Sequence, residues 1–306
     1  MSSMLMIRLF RIITRFPSLS GIGTLEMNVR GIRRAAPFTG SNLQFRALYM
    51  PVYRYGYEAV TAALLKALMD PESVFFDIGS NWGFFSFLIA SNPTFRGKVF
   101  AFEPNPVARL DLEKILRATI LSQFIFPQPF ALGAKATTMA ISASALVRTG
   151  NTHLLNLADG DVSVEVKRLD ELNLPLPDVM KLDVEGMELD ILEGGLELLR
   201  RARPAIVFES LSSPDDPTSS VRLVDFLSES GYEFFVPVFH FKNKDGPLAI
   251  QSDSACAALW DKGVRAELGL IACDPKNRPI MQTHLNLFAC HRDRLEALRQ
   301  RIPLIG

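Results

Sequence analysis

The sequence predicts an α/β fold, a mostly parallel sheet covered by helices on both faces. Two observations carry that expectation. From about residue 57, short apolar runs alternate with stretches whose apolar residues recur at helical spacing. Four of those runs also end on an acidic residue, at the end where an open parallel sheet binds its ligands.

Taken in order, YEAVTAALLKALM reads as a helix and DPES as its break. SVFFDIG is a buried strand, and WGFFSFLIAS is a helix opening straight after its glycine turn. KVFAFEPNP is a second strand, VARLDLEKILRAT an amphipathic helix, and FIFPQPFALG a third strand broken by proline. ATTMAISAS and SVEVKRL, separated by the polar GNTHLLNLADGD, suggest a β-rich insertion near 137–170. The rhythm resumes with the strand PDVMKLDVEG, the helix MELDILEGGLELLRRA, the strand PAIVFES and the helix VRLVDFLSESG. YEFFVPVFHF and HLNLFAC are expected to pair and close the sheet, with a variable segment near 240–284 between them. Within the long helix, Leu189, Leu192, Leu196 and Leu199 form the expected buried stripe, and Glu188, Asp190 and Glu193 its solvated face.

At 306 residues, with 48% apolar and 22% charged, the chain can bury a full core. Three dispersed cysteines form no CxxC pair, which argues against a disulfide framework or zinc ribbon and suits a reducing compartment. No apolar run approaches the roughly 20 residues of a membrane span. The balanced net charge hides an asymmetry: residues 1–57 carry +7 and the remainder −7. Residues 1–54 therefore read as a basic N-terminal segment, ahead of a single domain over 55–306. Within it, residues 4–16 set Arg8, Arg11 and Arg15 on one helical face and Leu5, Leu9, Ile12 and Phe16 on another. Such a helix suits peripheral contact with an anionic membrane, docking on a partner, or packing on its own domain. An arginine-rich, acid-poor start also resembles a transit peptide, whereas arginines interrupt every candidate core of a secretory signal. A cytoplasmic location, with or without membrane association, is the expectation.

The acids at the strand ends are Asp77, Glu103, Asp183 and Glu209. In DIGSNWG, Gly79 lets the chain leave its strand tightly, and Gly83 lets the next helix approach a ligand. This GxxxG spacing is not the GxGxxG of dinucleotide sites, which makes an NAD-dependent oxidoreductase the weaker reading. Glu103 is placed to accept from two ribose hydroxyls, and an acid there disfavours a 2′-phosphate. Lys181 and Asp183 sit on one side of their strand; alone, they could be no more than an internal ion pair.

The ordered set YGYEAV, FFDIGSNWGFFSFLIA, VFAFEPNP, PFALG and VKRLDEL…PDVMKLDVEGMELDILEGG…PAIVFES resembles the FkbM family of S-adenosylmethionine-dependent methyltransferases over about 55–210. The K-x-D-x-E-G run is its most specific part. The resemblance implies a class I Rossmann-like methyltransferase fold with a mostly parallel seven-stranded sheet, S-adenosyl-L-methionine as cofactor, and O-methylation of a sugar, lipid or polyketide hydroxyl. It further implies that Asp77, Gly79, Asn81 and Gly83 hold the methionine end, that Glu103 with Asn105 beside it grips the ribose, and that Phe130 and Ala131 line the adenine.

Methyl transfer to oxygen needs alignment and removal of the acceptor's proton. Asp183 is expected to contact acceptor or cofactor, with Glu185 positioning it and Lys181 keeping it ionised. Glu209 is the alternative base and His240 a weaker one. Glu185 could instead cap the following helix. The loop SSPDDPTSS could be a lid or an ordinary solvated loop. No metal is expected, because the His pattern of metal sites is missing. Nucleic acid is disfavoured as substrate by the acidic catalytic half and the lack of an NPPY-like run. A cofactor-binding scaffold without turnover is the rival from another class.

Overall fold

The computed structural model describes residues 22–39, 50–147, 152–211, 219–243, 246–274, 277 and 284–305. The basic stretch 4–16 and most of the SSPDDPTSS loop lie outside the described residues.

Along the chain come β1 (Ile22–Val29), β2 (Ile32–Thr39), α1 (Ala59–Leu68), β3 (Val74–Ile78), α2 (Phe84–Ala90), β4 (Lys98–Phe102) and α3 (Pro106–Ala118). The middle of the chain holds β5 (Ile125–Gln128), β6 (Ala131–Leu132), β7 (Thr137–Ile141), α4 (Ala143–Val147), β8 (Val162–Lys167) and β9 (Val179–Leu182). Next are α5 (Glu188–Glu193), α6 (Leu196–Ala202), β10 (Ala205–Leu211), α7 (Ser219–Glu229), β11 (Tyr232–Asn243) and β12 (Gly246–Ile250). The series closes with α8 (Asp253–Trp260), β13 (Ala266–Cys273), β14 (His284–His291) and α9 (Leu295–Arg301).

The central sheet runs β12-β11-β14-β10-β9-β3-β4-β5, with β13 also paired to β11. From β5 to β10 every neighbouring pair is parallel, and β14 is antiparallel to both β10 and β11. The seven strands from β5 to β11 thus form the expected mostly parallel sheet, with one reversed strand wedged in next to last. β12 and β13 extend it to nine among the described residues, built from the segment that the sequence marked as variable. Pro127 lies in β5, at the sheet edge, where a missing N–H leaves no ladder bond unmade.

Alternation sends Phe75, Val99, Val179 and Val207 into one core beneath α1, α2, α3 and α9. Phe76, Phe100, Met180 and Ile206 enter the other, beneath α5, α6 and α7. Each fully buried side chain of this kind stabilises the fold by about 1.5–3 kcal/mol. The insertion forms its own sheet, β6-β8-β7. The first described residues, β1 and β2, make a hairpin whose Val29 and Ala36 join the core under α2 and α3.

The helix expected over 187–202 is two. Gly194 lies so close to the Gly133 carbonyl that a Cβ would stand 2.1 Å from it, and Asp170 accepts from Glu197 N and Leu198 N to start α6 afresh. Turning the axis there leaves Leu196 39% exposed and buries Ile191 and Leu198 instead.

Candidate active site

Strands β3, β4 and β9 end together beneath one cleft of about 630 Å³, partly open to solvent. Its walls include Gly79, Asn81, Glu103, Phe130, Ala131, Asp183 and Glu185.

The turn after β3 fixes the first wall. Gly79 takes φ +78°, and a Cβ there would stand 1.9 Å from the Asp183 carbonyl oxygen, so the β3 and β9 ends touch backbone to backbone. Asn81 adopts φ +50°, a left-handed geometry that asparagine tolerates. Its N–H donates to Glu103 Oε2 at 2.8 Å, while Asn105 N donates to Glu103 Oε1 at 2.8 Å. Each carboxylate oxygen keeps a lone pair for a ligand. Burial pushes Glu103 up to about 7, against the pull of the Asn105 and Asn81 amides. The Ser80 hydroxyl, between two residues of the wall, is buried without a hydrogen-bond partner.

Asn105 caps α3 by accepting from Val107 N, and its Nδ2 donates to Ala145 O and Thr152 Oγ1. It therefore ties the insertion over the cleft, where Thr152 and Leu154 form a wall that the sequence did not indicate. Phe130 packs edge-on against Phe102, with Lys167 over its ring.

Asp77 lies beneath the cleft rather than in its lining. It is 1% exposed, accepts from Ser86 N and Ser86 Oγ, and faces Lys181 across the β3–β9 ladder. Gly83, with φ +89°, opens α2 and packs against Leu112 instead of lining the cleft.

Lys181 Nζ donates to Asp183 Oδ2 at 2.8 Å and lies over the Phe85 ring. Burial pulls its ammonium down, but the carboxylates of Asp183, Glu58 and Asp77 more than reverse this, leaving Lys181 above the usual lysine range. Glu185 is half-buried on the β9–α5 turn at φ +55°. Burial raises its carboxyl, Asp183 and Glu209 add to the rise, and His153 opposes it. Glu188 is buried rather than solvated and accepts from Val184 N and Gly186 N, bracing the β9–α5 turn, while no side chain caps α5 at its Met187 N-cap.

Glu209 lies opposite Asn286 of β14 and is within electrostatic reach of Glu185 and Glu58. His240 stands apart, on β11 between Ala249 and Glu267, with β14 separating it from β10. Glu58, which the sequence reading passed over, joins the cluster from the turn before α1. Burial raises it to about 7, Lys181 opposes this, and Asp183 and Glu209 reinforce it. The motif YGYEAV was the available signal. Glu58, Asn81 and Glu185 are three of the five described non-glycine residues with positive φ, and strain gathered at one site points to function. Among the described residues, no group of three or more His, Cys, Asp or Glu is arranged to hold a metal ion.

Residues 77–234, just over half of the chain, match the methyltransferase FkbM domain. Over 169 residues the chain is 28% identical to the hexuronic acid methyltransferase AglP of Haloferax volcanii, a match covering 53% of this chain and 65% of that protein. The chain thus spans just under two thirds of that relative's length. Among solved structures, a methyltransferase FkbM from Methylobacillus flagellatus is 18% identical over 54% of this chain and 40% of its own, with a TM-score of 0.40. An S-adenosylmethionine-dependent O-methyltransferase from Thermotoga maritima is 12% identical over 87% of this chain and 77% of its own, with a TM-score of 0.39. The fold assignment rests on strand order, not on these likenesses.

Proposed function

Because this chain belongs to the FkbM methyltransferase family, we propose that it uses S-adenosyl-L-methionine to methylate a hydroxyl oxygen of a sugar or sugar-bearing acceptor. The observation that carries this reading is Glu103, held by two backbone amides at the end of β4 with its free lone pairs toward the cleft. A carboxylate so placed suits two ribose hydroxyls. Phe130 and Ala131 offer the flat apolar slot that an adenine needs, and Gly79 and Asn81 flank the methionine end. When bound, the cofactor supplies a methyl group already activated on a sulfonium.

The chain's own work is then alignment and proton removal. Asp183 faces the cleft and accepts from Lys181 Nζ. Glu185 shares that wall, and Glu209 stands on the next strand; together they surround the acceptor oxygen with carboxylates that also complement a sulfonium charge. Lys181 is a positioning residue, buried below the others. A sugar acceptor is supported by the name of the Haloferax relative; lipid-linked glycans and polyketides carry hydroxyls that the same chemistry would serve. Among the described residues no helix is long and apolar enough to cross a membrane.

Calorimetric titration of S-adenosylmethionine, with NAD as control and Glu103→Ala as variant, tests the reading. Saturable binding that the variant loses supports it. Binding of NAD alone, or of neither ligand by folded protein, would overturn it.

A further inference from the structure

Glu58 lines a second cleft within electrostatic reach of the strand-end cluster. It interacts with Lys181, Asp183 and Glu209 at the strand ends. The second cleft, of about 590 Å³ and open to solvent, is also lined by Thr61, Gln251, Ser252, Asp253 and Asn286. The position is built rather than incidental. Asp253, at the start of α8, accepts from Glu58 N at 3.0 Å and Ala59 N at 2.9 Å, and Glu58 is held at φ +43°. Asn286 Nδ2 donates to Thr61 Oγ1 at 3.1 Å, and Asn286 itself pairs with Glu209, so this cleft adjoins the cluster over β9 and β10. Glu58 and α8 lie outside residues 77–234, so the domain match says nothing of them.

We propose that this second cleft admits the acceptor and that Glu58 is the general base that takes the proton from its reacting hydroxyl. The inference rests on the methyltransferase reading above. Asp183 is already bonded by the charged Lys181, whereas Glu58 is pinned through its backbone and its carboxylate, beside the second cleft, takes a hydrogen bond from the neutral Tyr57 hydroxyl. A base is most effective when it titrates near the working pH, and desolvation by the surrounding protein raises the half-buried Glu58 carboxyl toward it. In the step itself, the acceptor oxygen forms its bond to the methyl carbon as the carbon–sulfur bond breaks. The sulfur keeps that electron pair as a neutral thioether, and the hydroxyl proton passes to the Glu58 carboxylate. The polar lining suits a neutral polyol, such as a hexose ring presenting its hydroxyls.

The groups facing Glu58 that could shape its titration are Tyr57 on its own turn, Asp253 of α8, Lys181 and Asp183 of β9, and Glu209 of β10. The test compares wild type, Glu58→Gln and Glu58→Asp. Transfer of labelled methyl to p-nitrophenyl β-D-glucoside and to p-nitrophenyl β-D-glucuronide is followed from pH 5 to 9, with cofactor affinity measured in parallel. Glu58→Gln is expected to lose about 100-fold or more in kcat with cofactor Kd within twofold, and to lose the acid limb of the profile. Glu58→Asp should recover part of the rate. Glu58→Gln turnover within threefold of wild type, or an unchanged acid limb, would overturn the role of Glu58 alone. If Glu58→Gln fails to bind cofactor, Glu58→Asp decides: full activity with an unshifted limb refutes the proposal. Wild-type protein that binds cofactor but methylates neither glycoside sinks the sugar-acceptor reading, and this inference with it.

Discussion

Lys181 Nζ lies 2.8 Å from Asp183 Oδ2, with the lysine side chain 6% exposed and the aspartate 21%. The ion pair and the functional site are therefore one object: a buried lysine faces Asp77 across the ladder on one side and holds a cleft-lining carboxylate on the other. A buried lysine with several acids around it offsets its desolvation cost only while those acids remain.

Lys181→Met should for that reason do more than lower activity. It leaves the buried Asp77 and the half-buried Asp183 without their counter-ion, and removing one partner of a buried pair costs about 3–5 kcal/mol. Asp183→Asn should be milder in stability, because Lys181 retains Asp77 and Glu58. Urea midpoints of the two variants check this. Lys181→Met unfolding at the wild-type midpoint would mean that the pair contributes little.

Gly79→Ala should abolish cofactor binding. The left-handed φ costs a non-glycine residue about 1–2 kcal/mol, and the new Cβ would stand 1.9 Å from the Asp183 backbone oxygen, which cannot yield without separating β3 from β9. A lowered melting temperature, together with lost calorimetric heat on titrating S-adenosylmethionine, is the expected pair of results.

Glu103 gives a pH dependence whose sign can be worked out. Its folded carboxyl is raised to about 7 from the usual carboxylate range. Its contribution to stability is thus fully present below about 4.5, the ordinary glutamate range, and is lost as pH rises through 7. Ribose recognition runs the other way, because only the carboxylate accepts from both hydroxyls. Cofactor affinity should fall as pH drops below 7, by up to about tenfold per pH unit, and protons should be released on binding near pH 6.5. Calorimetry in buffers of different ionisation enthalpy measures that release, and Glu103→Gln should abolish it.

Much of the fold was legible because its signals are local. Alternation in VMKLD placed Lys181 and Asp183 on one side of their strand, and helical spacing placed α1 and α3. Glu103 was legible because strand ends in a parallel sheet converge by topology alone, whereas the Phe130–Ala131 wall was indicated only by the family resemblance. What failed depended on tertiary contact. Only the approach of Gly133 shows that Gly194 breaks the helix, and only burial against the β9–α5 turn turns Glu188 from a surface acid into a brace for that turn. Glu58 escaped notice because its partner Asp253 lies 195 residues away in sequence.

Arg30 ties the β1–β2 hairpin to the body of the protein, and its removal should release that hairpin. Its guanidinium donates to the carbonyls of Ala90, Pro93 and Phe95 just past α2, with Nη1 at 2.8 Å from Phe95 O and Nη2 at 2.8 Å from Pro93 O. It also lies over the Phe124 ring, and its own N–H reaches Ser91 O. These carbonyls follow a helix C-terminus, where a cation is favoured and unpaired oxygens are otherwise left to water. Arg30→Ala keeps the backbone bond but removes the rest. Hydrogen exchange over 22–39 should accelerate at least tenfold while the amides of β3 and β9 stay protected, since hydrogen bonds to a charged group contribute about 1.5–3 kcal/mol. Cofactor affinity should remain within twofold, because Arg30 lies on the α2 side of the sheet, away from the Glu103 cleft. Faster exchange in β3 and β9 as well would show instead that the hairpin supports the whole sheet.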